Sequence, residues 1–505
     1  MRDKVLEHPI ILSGIISVLF WIITGGSTAS LNKIGLGNMA SMYIYIGAFA
    51  VLTAVFIILA VRKKATVRTA CIFIMGGGAV TRMWYALYAL TTNVYQHDFG
   101  NWDYHPGNAV HENYIHYLMT NLHLPDFDIR GYGQYYHPPL HHTISAIVMK
   151  IDSVLFPLRE VDGSCLKALS LFYSLVIMIL IYKIMKHFGI DGMALVAATA
   201  LASFYPSLII CSCQINNDPL ANMLVIAGFY NALKWYRDRR YITIIYTALA
   251  IGCAMMTKLS AGLIAFPVGF IFLAAFIRSK GTRKNVFTQL LAFAAVVFPL
   301  GLWFPIRNLI CWGIPPTYVF TLGSLPTQDV SGYSVIQRLF GSTDVTRSIP
   351  FVVFGEENKD FNIFTILFKS SLFDDLDHHD KPFWSLIAGI MMILGIVLVV
   401  IFAAGLVKAV IKCFKDKDTG IAAVIILLVT ELAGIIIFAF KYPLICSVNF
   451  RYIFPTVICF TLFAALCFKK SENEWVRLIQ KMMGVVIAGF SVLSVVFFMT
   501  EWMAW

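Results

Sequence analysis

The chain has 505 residues, of which 59% are hydrophobic and only 13% charged, with a formal net charge of +11 and a mean hydropathy of +0.75. A soluble globular domain carries about 45–50% apolar and about 25% charged residues, so this composition excludes a soluble enzyme and indicates a polytopic membrane protein. In such a chain the placement of basic residues matters more than their sum, and no nucleic-acid partner is implied. Ten cysteines are scattered, mostly within apolar runs, with no paired spacing beyond Cys211-Ser212-Cys213. That pattern is neither a zinc nor a disulfide framework.

A bilayer-crossing helix needs about 20 mostly apolar residues, in a range of about 17–25. In chain order the apolar runs predict thirteen spans: Ile10–Gly26, Met42–Val61, Thr69–Leu90, Leu169–Ile184, Met193–Cys211, Leu220–Leu233, Tyr241–Met256, Leu259–Phe276, Val286–Leu302, Trp384–Leu406, Gly420–Phe440, Tyr452–Phe468 and Met483–Phe498. The first run lacks a small-residue cleavage pattern and is expected to be a span, not a signal sequence. Pro139–Leu155 carries paired histidines and Lys150, which suit an interfacial helix better than a span.

Lysine and arginine fix the orientation. With Arg2 and Lys4 in the cytoplasm, well over half of the chain's 39 basic residues fall on short cytoplasmic turns, such as Arg62–Arg68, Lys234–Arg240, Arg278–Lys284 and Lys408–Lys417. Counting Pro139–Leu155 as a span would invert every later turn and destroy that pattern. Two long segments then face outward, roughly 91–166 and 305–383, and they hold most of the 28 acidic residues. The implied organisation is two N-terminal helices in 1–68, a membrane core in 69–304 that includes the first external loop, the second external loop in 305–383, and C-terminal helices in 384–505. The C-terminus is expected outside, and any chemistry is expected at the extracytoplasmic face of a cell membrane.

Basic residues that break the positive-inside pattern are informative. Lys258 sits at an outer turn, Arg307 follows a span, Arg451 opens one, and Arg82 lies inside the third span. A lysine or arginine at a helix centre costs about 2.5–3.5 kcal/mol, so such residues line a cavity, pair with another group, or snorkel to headgroups. Four on one face would suit a shared anionic ligand such as a phosphate. Glu431, in mid-span, is expected to make an interhelical polar contact or to pair with one of these cations.

The first external loop has the opposite character. The stretch His97–His142 carries eight of the chain's 12 histidines. Asp98 lies eight residues past Leu90, near the expected membrane surface, where a partly desolvated carboxylate is a candidate general base. The other loop aspartates read as solvated. Val110–Thr120 is expected to be an amphipathic surface helix. His111-Glu112 begins like the zinc motif H-E-x-x-H, but His116 comes five residues after His111 and does not share its helical face. No cofactor motif is present. A divalent metal held by distant members of the histidine cluster is one metal reading. At the loop's end, Pro138 makes His137 extended and Pro139 can open a helix, which predicts a turn followed by an interfacial helix. In the second loop, Asp374–Asp380 has oxygens that could bind a cation, but it reads more readily as an exposed acidic cap before the span at Trp384.

An aspartate shortly after an early span, then an external loop ending in His137-Pro138-Pro139-Leu140, resembles the polyprenyl-phosphate-sugar-dependent glycosyltransferases of the GT-C superfold. The nearest branch is family 39, which includes protein O-mannosyltransferases and the aminoarabinose transferase acting on lipid A. The resemblance continues at Gln214-Ile-Asn-Asn-Asp218-Pro, Thr257-Lys258, Trp303-Phe-Pro-Ile-Arg307-Asn and Arg451-Tyr-Ile-Phe-Pro455. This chain departs from it at Phe99, where protein O-mannosyltransferases commonly have an acidic residue, and at His141 and His142, which replace a small residue and a lysine.

The resemblance implies an all-helical GT-C-like fold and an inverting glycosyltransferase. The donor would be a polyprenyl-phosphate-linked sugar of the undecaprenyl type, and the acceptor hydroxyl would belong to an envelope glycan, a lipid or a protein. Asp98 would be the catalytic base, while Arg82, His137, Asp218, Lys258, Arg307 and Arg451 would bind substrate. A transporter or lipid flippase is the rival from another class. Intramembrane charges permit it, but the internal repeats typical of transporters are not visible.

Overall fold

The computed structural model describes residues 8–31, 37–88, 110–157, 163–320, 325–342, 347–468 and 471–504. Among these residues every regular element is helical, and one isolated antiparallel bridge joins Asp329 and Leu444. In chain order the helices are α1 (Pro9–Leu31), α2 (Gly37–Val61), α3 (Val67–Tyr88), α4 (His111–Asn121), α5 (Leu140–Leu155), α6 (Lys167–His187), α7 (Gly192–Phe204), α8 (Pro206–Ile210) and α9 (Asp218–Asp238). They continue with α10 (Tyr241–Met255), α11 (Ala265–Arg278), α12 (Arg283–Trp312), α13 (Val335–Phe340), α14 (Ile363–Phe373), α15 (Pro382–Asp416), α16 (Thr419–Lys441), α17 (Val457–Leu466) and α18 (Glu474–Thr500). Short 3-10 turns, Leu259–Ile264 and Phe450–Thr456, lead into α11 and α17.

Twelve of the thirteen expected spans fall, as far as the described residues reach, on one of these helices or on a helix with its adjoining turn, whereas Met193–Cys211 falls on two, α7 and α8, which are separated at Tyr205, where the backbone is extended ahead of Pro206. Nine segments among the described residues are long and apolar enough to cross a membrane. The protein is a multi-pass membrane protein. Of the other four expected spans, the first lies on α1; α7 and α10 are short apolar helices, and α9 carries Asp218, Lys234, Arg237 and Asp238. Some helices begin where a polar side chain satisfies free N–H groups of the first turn. Asp418 accepts from Gly420 and Ile421 at α16, Asn473 from Trp475 and Val476 at α18, and Asn362 from Thr365 at α14.

The chain divides into two compact units. The first comprises Met1–Phe49, Arg82–Leu180 and Cys211–Leu322. Within it α9, α10 and α12 pack closely because glycines sit at the contacts. A Cβ on Gly228 would lie 2.7 Å from Ile251, and one on Gly252 would lie 2.8 Å from Leu300. Small residues are the usual device for close approach in lipid, where the hydrophobic effect does not drive helix association. The helix α12 runs ten residues past the expected end of its span, through Pro305 to Trp312, so Arg307 lies inside a helix and not in a loop after one.

Two further differences concern the first external loop. The helix α4 lies where a surface helix is expected, yet His111, Glu112, Asn113, Tyr114, Ile115, Tyr117 and Leu118 are all buried. Tyr114 stacks on Tyr135, with ring centroids 4.6 Å apart, and Phe127 and Tyr132 close over the same cluster. The helix α5 has the interfacial form, but its faces are reversed from those of a helix on a soluble protein. His141, His142, Ser145 and Asp152 face inward, whereas Ile147, Ile151, Val154 and Leu155 are exposed. An outward apolar stripe at helical spacing suits contact with lipid. The Trp21 indole of α1 donates to Asp152 at 2.6 Å and ties α5 to a helix from the expected first span.

The second unit comprises Ala50–Thr81, Ile181–Ile210 and Gly323–Trp505. The helices α15 and α17 approach so closely that a Cβ on Gly405 would lie 2.0 Å from the Phe463 carbonyl oxygen. Glu431 is buried on α16, and the Cys459 thiol of α17 donates to the Val424 carbonyl of α16 at 3.4 Å. Arg338 of α13 donates to the Ala439 carbonyl at 2.9 Å, near the C-terminal end of α16, where cations are favoured. The buried pair Lys369–Asp360, at 2.9 Å, anchors α14. The acidic stretch Asp374–Asp380 is only partly exposed. Asp374 is buried against Asn449 at 2.6 Å and His378 against Glu501 at 3.2 Å, because the helix before it is itself part of the core.

Candidate functional site

Three segments far apart in sequence are joined in the first unit. Pro139 takes the N-cap position of α5 instead of its first helical turn, and the next residue, Leu140, donates its N–H to the Met256 carbonyl at 3.1 Å. Asn217, at the N-cap of α9, donates from its side chain to the Thr257 carbonyl at 3.3 Å. Asp218, the first residue of α9, accepts a short charge-assisted hydrogen bond from Lys258. The His137-Pro-Pro turn, the 214–218 turn and the Met256–Lys258 turn are therefore held against one another.

Around this junction lies a box of buried histidines. The Nδ1 of His111 and the Nε2 of His142 are 2.9 Å apart. The His111 ring stacks on His142 and on His137, with centroids 5.1 and 5.7 Å away, and His141 meets His111 edge-on. Among the described residues, neither ring nitrogen of His141 has a hydrogen-bond partner, and the buried Tyr114 and Ser145 hydroxyls also lack one. Burial holds the His137 and His142 imidazoles well below their usual range, with Lys258 adding to the effect at His137 and His111 at His142. Burial likewise lowers His141 to about 4, against the opposing pull of Asp218. These rings are neutral at physiological pH, which lets them stack without charge repulsion. Among the described residues no group of three His, Cys, Asp or Glu side chains is arranged to hold a metal ion, so the divalent-metal expectation has no donor set there.

Arg307 approaches from α12. It donates to the Pro125 carbonyl and to Asn308, lies over the Trp312 ring at 4.6 Å, and is within electrostatic reach of Tyr114. A small recess is lined by Tyr136, Leu259 and Asn308, the sequence neighbours of His137, Lys258 and Arg307, together with Phe304, Pro315 and Tyr318.

The remaining expected site residues are placed differently. Arg82 is fully buried on α3, donates from Nε to Ser174 at 2.9 Å, and its carbonyl accepts from Ser212 at 3.3 Å. It ties segments of the helix bundle together. Arg451 belongs to the second unit, in the 3-10 turn before α17, where Asn449 accepts its backbone N–H at 3.0 Å. Asp98 lies outside the described residues. The histidine box itself escaped the sequence reading as a packed cluster. The only signal was the density of histidines, which suggested ligands and not stacking.

Residues 152–315 match the family model for dolichyl-phosphate-mannose-protein mannosyltransferase. The match bears out the resemblance to the polyprenyl-phosphate-sugar-dependent glycosyltransferases. It covers roughly a third of the chain and takes in Asp218, Lys258 and Arg307, but does not reach Arg82, Asp98, His137 or Arg451. No curated protein sequence matches the chain. Similar solved structures include the apo crystal structure of the Archaeoglobus fulgidus oligosaccharyltransferase, at 12% identity and a TM-score of 0.49 over 85% of this chain and 56% of that one. Another is the archaeal oligosaccharyltransferase AglB from Archaeoglobus fulgidus in complex with an inhibitory peptide and a dolichol-phosphate, at 11% identity and a TM-score of 0.47 over 84% and 55%. The chain thus spans little more than half the length of these structures.

Proposed function

We propose that the chain is an inverting glycosyltransferase. It would move a sugar from a polyprenyl-phosphate carrier of the undecaprenyl type to an acceptor hydroxyl at the outer face of the cell membrane, with the N-terminus in the cytoplasm. The acceptor belongs to an envelope glycan, a lipid or a protein. One observation carries this reading: the matched segment supplies Lys258 and Asp218, and the turn that holds Lys258 is bonded to the His137-Pro-Pro turn, the other sequence element of the resemblance.

In this mechanism Asp98 takes the proton of the acceptor hydroxyl as its oxygen attacks the anomeric carbon. The bond from that carbon to the phosphate oxygen breaks on the opposite side, the configuration inverts, and the carrier leaves as polyprenyl phosphate. Negative charge grows on the departing phosphate, and preorganised cations near it lower the barrier. Lys258 and Arg307 fill that role, with Arg451 assigned to the same donor by its motif. Asp218 orients Lys258, and His137 shapes the wall. Arg82, buried and bonded to Ser174, supports the helices around the site.

The test uses the purified full chain in nanodiscs, labelled undecaprenyl-phosphate and dolichyl-phosphate sugars, and envelope fractions as the acceptor source. Asp98→Asn should lower transfer by about 10²–10⁴-fold, the usual range for general-base help. Near-wild-type turnover by the folded variant would remove Asp98 from the mechanism. Lys258→Ala and Arg307→Ala should weaken donor use. Failure of the wild type to transfer from any labelled donor would count against the whole reading.

A further inference from the structure

The second unit contains a buried hydrogen-bond chain that the mechanism above leaves unused. It starts at Asp374, the residue just after α14. Asp374 is buried and holds φ at +53° with ψ at −125°, a backbone conformation that residues other than glycine rarely adopt. Its carboxylate accepts from the Asn449 side-chain amide at 2.6 Å, and the same amide nitrogen lies 3.4 Å from Asp375. Carboxylates only accept, so they fix which way the Asn449 amide faces. The amide N–H₂ points at the aspartates, and the amide oxygen is left to accept the Arg451 backbone N–H at 3.0 Å.

A second bond from the same region supports the turn. Ser370, on the last turn of α14, accepts the Phe450 N–H at 3.0 Å. Two successive backbone N–H groups of the 3-10 turn are therefore capped by side chains tied to α14 or to the residue that ends it. The guanidinium that follows is also guided: Arg451 lies over the Tyr452 ring at 5.2 Å and donates to the Tyr452 hydroxyl at 3.2 Å. A side chain whose backbone is capped and whose head rests on a ring has few directions available.

We propose that Asp374 is a positioning residue for Arg451, acting through Asn449. The inference rests on the reading of Arg451 as a residue for the donor's phosphate. Asp374 does not touch the donor. It fixes the amide that caps the turn from which Arg451 projects.

The experiment measures binding of undecaprenyl phosphate and dolichyl phosphate to the full chain in nanodiscs, carrying forward whichever probe binds the wild type more tightly. Arg451→Ala should weaken binding by about tenfold, the scale of one lost charge-assisted hydrogen bond. Asp374→Ala should weaken it by a similar factor and should add nothing in the Arg451→Ala background. The swap Asp374→Asn with Asn449→Asp keeps a donor opposite an acceptor and leaves an oxygen for the Arg451 N–H, so it should restore binding. Asn449→Asp alone sets carboxylates against each other and should not. Where Asp374→Ala does not yield folded protein, Asp374→Asn takes its place and should show a smaller loss that is likewise absent without Arg451.

If Arg451→Ala weakens binding but the Asp374 variants do not, or if their effects simply add, the positioning role is wrong and the donor reading of Arg451 stands. If Arg451→Ala leaves binding unchanged, the donor reading of Arg451 fails and the inference falls with it.

Discussion

Acidification should loosen the first external loop before it affects the membrane helices. The perturbation is a change from pH 7.5 to pH 5. His141 titrates at about 4 where it is buried and at about 6.5 in an unfolded chain. A histidine lowered in this way contributes its full stability above pH 6.5 and loses it as the pH falls from there towards 4, because the opened loop binds a proton that the closed loop refuses. From those two values the loss is about 2 kcal/mol at pH 5 and levels off at about 3 kcal/mol below pH 4. His137 and His142 are lowered by the same burial and push in the same direction. Two kcal/mol raises the open fraction by about 30-fold. Hydrogen exchange of peptides covering 111–155, corrected for the intrinsic pH dependence of exchange, reads that ratio directly. His141→Leu should reduce it by most of that factor while leaving the contribution of the other rings. Equal protection at both pH values, or an unchanged ratio in His141→Leu, would refute the picture of a neutral, stacked histidine box.

Two packing predictions test the second unit. Gly405→Ala puts a methyl group 2.0 Å from the Phe463 carbonyl oxygen, and because backbone cannot rotate away, the loss should be at least the usual overpacking cost of about 1–3 kcal/mol. A melting temperature equal to that of the wild type would contradict the close contact of α15 and α17. Lys369→Met leaves Asp360 buried without its cation and should cost about 3–5 kcal/mol, whereas Lys369→Met with Asp360→Leu should recover most of that loss. Chemical denaturation of the three proteins compares them, and additive losses would show that the pair is not coupled.

Much of the fold was legible because lipid enforces one rule. Every backbone polar group in a span must be bonded within its own helix, so an apolar run of suitable length is a helix whatever its neighbours do. The thirteen expected spans therefore have counterparts, one of them split at Tyr205-Pro206, and α12 shows an end misjudged where polarity rises without the helix stopping. The helix α12 continues through Arg307 to Trp312. Pro305 does not halt it, though a proline removes one hydrogen bond and would usually suggest a boundary. The burial of α4 was hidden for a different reason. Its polar residues are covered by Tyr135 and the α5 histidines, and no local pattern records a partner that far along the chain.

The candidate site shows where motif reading stops. The sequence contained Asp218, Lys258, Arg307 and His137 as separate short motifs and assigned all four to substrate, because isolated charges at helix ends look alike. Only contact distances separate their electrostatic states. Lys258 is compensated by Asp218, so much of its field is spent inside the protein and a donor phosphate would have to share it. Arg307 differs. Its partners among the described residues are a backbone carbonyl, the Asn308 amide and the Trp312 ring, none of them an anion. It lies on α12 between Pro305 and Asn308, which line the small recess. A helix that ended at Leu302 would have left that arginine on a loop. The ten extra residues of α12 instead hold it on a helix, the kind of preorganised support that the proposed role at a leaving phosphate would need.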